Sequence, residues 1–179
     1  MAPMSNNTYD VSTSETAKPQ TPARKSVISG LLPFIGVILF VIFTILQFAQ
    51  GAGDDWGPTL VQNAVIYMIG WSGVGAGISH ILFGRKISQS IGFDKSPYEL
   101  EVGFADLAMG IVGLLAAQFS PDYWLAIILV SSIFRVGCGF GHIRSMIQDR
   151  NFAINNTAIL FVNFVVPAFL LFAFFTWAR

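Results

Sequence analysis

Charge is scarce in this chain. Ten Lys and Arg against ten Asp and Glu make 11% of the residues, with a net charge of zero. Soluble globular domains carry roughly 25%. A chain without a basic excess has no electrostatic footprint for nucleic acid, so no nucleic-acid partner is expected. Cysteine is almost absent: Cys138 stands alone, which excludes an internal disulfide and any cysteine-based zinc knuckle. His80 and His142 are the whole supply of imidazole. What fills the space is apolar. Hydrophobic residues make up 54% of the sequence, with Phe occurring 17 times, and 179 residues leave room for one domain.

The apolar residues fall into stretches at 31–49, 59–84, 102–119, 123–143 and 157–177. Crossing ~30 Å of hydrocarbon takes about 20 helical residues. Lipid offers no partner to a backbone N–H or C=O, so each stretch is predicted to be a helix. The expected fold class is all-α, an integral membrane bundle over residues 29–179 with five transmembrane helices, or four if the first is cleaved. The first stretch is longer than the roughly 7–15 residues of a signal-peptide apolar region, which favours its retention. Residues 1–28, rich in Ser, Thr, Asn and Pro, read as a flexible polar tail. Ser96, Pro97 and Glu99 form a capping-box pattern that starts the third helix ahead of its apolar part.

Basic residues set the orientation. Lys18, Arg24 and Lys25 precede the first span, Arg85, Lys86 and Lys95 separate the second from the third, and Arg144 and Arg150 follow the fourth. All fall on one side, with Arg179 alone on the other, which places the N-terminus in the cytoplasm and the C-terminus outside. Trp56, Tyr123, Trp124 and Trp177 gather towards the opposite interface as an aromatic belt.

A stripe of small residues carries the ionisable groups. Gly73, Gly77, His80 and Gly84 share one face of the second span. Gly103, Asp106, Gly110 and Gly113 share one face of the third, and Ser131, Arg135, Gly139 and His142 one face of the fourth. Gly73, Gly77, Gly103, Gly110 and Gly139 read as helix-packing contacts, because small residues let transmembrane backbones approach closely. This pattern predicts the second, third and fourth helices side by side, with the Phe-rich first and fifth facing lipid or a partner. His80, Glu101, Asp106 and His142 fall within roughly 10 Å of the cytoplasmic boundary, and Arg135 about 10 Å deeper. An unpaired guanidinium at that depth is costly, so an Asp106–Arg135 ion pair is predicted.

Three readings compete for this polar cluster of His80, Glu101, Asp106, Arg135 and His142. One is a structural lock in which polar bonds fix helix register. Another is a metal or haem site, with His80 and His142 as the candidate ligands of a bis-imidazole haem. The third is proton-coupled movement of a small solute, with Asp and His exchanging protons. No residue constellation points to catalysis. The favoured reading is a non-enzymatic membrane subunit or binding protein whose partners are the lipid bilayer and other membrane subunits or a second copy of the chain.

Three blocks carry a resemblance: GWSGVGAGISHILFG at 70–84, IGFDKSPYELEVGFADLAMG at 91–110 and GCGFGHIRSMIQDRNFAINN at 137–156. They resemble a family of small, uncharacterised bacterial multi-pass membrane proteins, and the four-helix core is loosely similar to DoxX-like proteins. The resemblance implies a bacterial inner (plasma) membrane protein and draws attention to His80, Glu101 and His142, without assigning them chemistry.

Overall fold

Proline marks several helix starts, because a residue without an N–H loses nothing in a first turn. Pro121 opens one helix and Pro58 lies in the first turn of another. The computed structural model describes residues 32–51, 55–94 and 96–179. The polar tail expected over residues 1–28 lies outside them, as does Lys95. The described residues are all-helical and form α1 (Ile35–Ala49), α2 (Trp56–Ile91), α3 (Glu99–Gln118), α4 (Pro121–Gln148) and α5 (Ile154–Trp177).

Helices α2 to α5 are long and apolar enough to cross a membrane. α1 has 15 residues, about 22 Å of helix, short of the ~30 Å hydrocarbon thickness. Several helices outrun their apolar stretches. α2 continues to Ile91 through Arg85 and Lys86, and α4 continues to Gln148 through Arg144. Polar residues past the membrane boundary still favour helix, and hydropathy alone does not see them. α2 bends at Phe83, whose φ of −131° breaks the helical run.

Two helices contain a wide π-turn. In α5 it covers Phe161–Val165. Pro167 follows it and has no N–H to give Asn163 O, four residues back, so the α pattern fails there for a stated chemical reason. In α2 the turn covers Val65–Trp71 with no proline in it.

The buried apolar core lies in one half of the bundle. It joins Val61, Val65 and Ile69 of α2, Ile127 and Ile128 of α4, and Val162, Val166, Leu170 and Phe174 of α5. α5 is therefore a central helix, contrary to the expectation that it faces outward with α1. The reason is that α4 packs mainly along α5, and α5 also packs against the start of α2. α4 reaches α2 chiefly at the π-turn. α1 lies on that same turn, with Phe43 stacked on Tyr67 at 4.9 Å. Trp124, expected in a lipid-facing belt, is buried and donates its indole N–H to Ala116 O at 2.8 Å.

Candidate functional site

α2 and α3 meet backbone to backbone. A Cβ on Gly73 would stand 2.7 Å from Asp106 O and 2.8 Å from Gly110 Cα. One on Gly77 would stand 2.7 Å from Gly103 O. No side chain larger than hydrogen fits at these distances. Gly139 serves a different contact: its Cβ would meet the Phe164 ring at 2.6 Å, so it seats α4 on α5 rather than on α2 and α3.

This close pairing fixes where the polar residues lie, and it distributes them over three centres. The first is at the end of the α2–α3 seam. Glu99 accepts hydrogen bonds from Ser88 Oγ and, at 3.2 Å, from the Ser96 N–H, while Ser96 Oγ accepts the Tyr98 N–H. The carboxylate thus ties down the turn that leads into α3 and fastens it to α2 at once. Its charge also acts on His80, whose Cβ lies against Gly103 and whose Nδ1 is buried with no hydrogen-bond partner among the described residues. Glu101 is exposed and takes no part. Helical phase separates the two acids: Glu99 stands four residues before Gly103 and seven before Asp106, on the seam, whereas Glu101 is two residues from Gly103 and turned away.

The second centre lies deeper. Arg135 of α4 donates from Nη2 to Met68 O at 2.8 Å and to Ser72 Oγ at 3.4 Å. The π-turn explains why Met68 O is free to accept. The Ser72 N–H bonds to Tyr67 O, five residues back, and to Ile69 O, three back, and passes over Met68 O, four back. Arg135 therefore supplies the donor that the helix withholds, and buried carbonyls need one. Asp106 of α3 and the Cys138 thiol of α4 share this neighbourhood, with Asp106 close enough for its charge and that of Arg135 to act on one another. The hydrogen bonds of Arg135 go to the π-turn and to Ser72; the predicted Asp106–Arg135 ion pair is not formed as a direct contact among the described residues, and the two groups act on one another at a distance.

The third centre is a latch around His142. Its Nδ1 lies 2.7 Å from Asn156 Oδ1. Asn156 is fully buried and donates Nδ2 to Asn151 O at 2.8 Å, so its carbonyl oxygen is the atom facing His142. His142 Nδ1 is then the donor, and Nε2 keeps the lone pair. Asn151 in turn donates to Ile91 O at 2.8 Å and to Ser145 Oγ at 3.3 Å. The Phe93 ring stacks on His142, with centroids 5.4 Å apart. Gly92, at φ +77°, leaves room for the Asn151 amide, where a Cβ would collide. The latch ties the ends of α2 and α4 to the start of α5, and beside it a polar groove of about 600 Å³ is lined by residues including Phe93, Asp94, Arg144 and Asp149.

Among the described residues, no group of three His, Cys, Asp or Glu side chains is disposed to hold a metal ion. The sequence pattern grouped His80, Glu101, Asp106, Arg135 and His142 as one cluster. The structure sets Asp106 near Arg135 without direct contact among the described residues, places His80 near Glu99, and gives His142 to the latch. Asn151, Asn156, Glu99 and Ser72 carry these centres and were not singled out as site residues. Comparison with curated proteins and with solved structures gives no match. A family model does match, over residues 30–179, and it takes in all five helices and all three polar centres. The chain belongs to that family, described as a family of unknown function (DUF6790).

Proposed function

We propose that this chain is a non-enzymatic multi-pass protein of a bacterial plasma membrane, acting as a membrane subunit or binding protein. In this reading α1 is a fifth span, the N-terminus is cytoplasmic and the C-terminus external. The polar node of Asp106, Arg135 and Ser72 holds the working register of the helices. One observation carries the reading: Arg135 of α4 donates to Met68 O in the α2 π-turn and to Ser72 Oγ, with Asp106 of α3 close enough for the two charges to act on one another. Removing the partner of a charge in hydrocarbon costs at least ~2.5 kcal/mol, so the node supports a fixed arrangement of three helices.

The node is tested by a pair of variants. Asp106→Asn alone lowers the yield of monodisperse protein in detergent more than Asp106→Asn combined with Arg135→Gln, since the double change leaves no uncompensated charge. Equal losses would remove the node from the account.

A second reading, haem held by histidine, draws on the free Nε2 of His142, since ligating imidazoles commonly have the other nitrogen hydrogen-bonded as Nδ1 is here. The subunit reading expects a colourless, metal-free preparation. A Soret band lost in both His80→Ala and His142→Ala would replace it with the haem reading.

A further inference from the structure

Arg150 is the one non-glycine residue with a positive φ among the described residues, at +52°. Such a conformation is uncommon for a side chain of this size, and an observed backbone outlier is a starting point for a functional hypothesis. The latch explains how it is held. Asn151 is pulled towards Ile91 and Ser145, which fixes the chain on one side of Arg150. Arg150 itself lines a separate, mainly apolar groove of about 510 Å³, with Ile143, Met146, Ile147, Phe152 and Leu160 as the other walls. Neighbouring residues thus serve opposite sides of the same turn.

The groove has the polarity of an amphiphile. Its one cation among the described residues, Arg150, sits at the turn between α4 and α5, and its apolar walls run from there along both helices. Ile143 lies seven residues before Arg150, about 10 Å further along the helix. Ile147 is 74% exposed and Phe152 66%, as expected of side chains that meet acyl chains. We propose that this groove binds an anionic phospholipid of the surrounding bilayer, with its phosphate on Arg150 and one acyl chain between α4 and α5. The inference is independent of the subunit reading.

The test titrates the full chain, in mild detergent, with phosphatidylglycerol and phosphatidylcholine and counts retained lipids by native mass spectrometry. Retained phosphatidylglycerol exceeds phosphatidylcholine by about fivefold, the preference conferred by one basic residue near the headgroup. Arg150→Gly brings the two lipids to parity without disturbing the turn, since glycine adopts this φ freely. Arg150→Gln gives the same parity, and Arg150→Lys retains the preference. Arg144→Gln, at the neighbouring polar groove, leaves the preference intact. Leu160→Trp lowers retention of both lipids. Equal retention by the unmodified chain, an unchanged preference in Arg150→Gly, or a loss in Arg144→Gln as large as in Arg150→Gly would each overturn the proposal.

Discussion

The two halves of this bundle are held together by different means. Around Val61, Ile128 and Leu170 the helices interlock through buried apolar side chains. Around Gly77, Glu99 and Asn156 they are joined by backbone contact at glycines and by polar side chains that tie one helix end to another. Among the described residues, no member of the buried apolar core lies between residues 70 and 115 or between 129 and 161. Inside lipid, apolar side chains gain little by leaving the bilayer for the protein interior, so close packing and hydrogen bonding are the available forces. The core half uses the first of these through large side chains. The other half uses small residues and polar bonds, and it is there that His80, Glu99 and His142 are found.

The sharpest way to break the comparison is to put a side chain where two backbones meet. Gly110→Val forces a branched Cβ against Gly73 and Val74 and is expected to cost more than about 3 kcal/mol, the upper end for overpacking, because backbone cannot yield as side chains do. Folded protein recovered after detergent extraction reads this loss. A variant that accumulates normally would show the seam to be loose.

In the core half, Leu170→Ala opens a cavity instead. Its cost in lipid lacks most of the water-transfer contribution, leaving the cavity portion of about 2 kcal/mol. Reversible unfolding in mixed micelles measures it. A loss as large as that of Gly110→Val would erase the distinction between the halves.

A comparable but more local effect is expected from Asn156→Ala, which strips His142 and Asn151 O of a shared partner. The loss is about 1–3 kcal/mol, and it is concentrated at the ends of α2 and α4. Hydrogen exchange should accelerate around Ile91 and Ser145 while the amides near Ile128 stay protected. Uniform acceleration through the bundle would mean that the two halves unfold as one.

Four of the five expected spans were legible in the sequence, because the bilayer imposes length and hydropathy on any helix that crosses it; the first stretch forms only a shorter apolar helix. The α2–α3 seam was legible for a related reason: glycines spaced by three and four residues mark a face wherever they occur. The position of α5 was not legible. Its sequence is apolar on every side, so no period distinguishes Leu170, which is buried, from Phe172, which is exposed. Glu99 was within reach, since its phase matches Gly103 and Asp106 better than that of Glu101 does. The latch was not, because His142, Asn151 and Asn156 lie across a turn and no helical periodicity relates them. The main-chain partner of Arg135 was likewise hidden, since the α2 π-turn contains no proline to announce it.

That turn has one more consequence. Seven residues from Val65 to Trp71 take a wider winding than the helix on either side. A surplus residue in such a winding rotates everything downstream by about 100° relative to an unbroken α-helix. The orientation of Gly73, Gly77 and His80 is therefore decided a turn upstream of them, like the setting of a cam on its shaft. Closing that winding to a regular α-helix with the sequence unchanged would swing the seam off α3 in space, whereas deleting one residue within it would keep the seam facing α3.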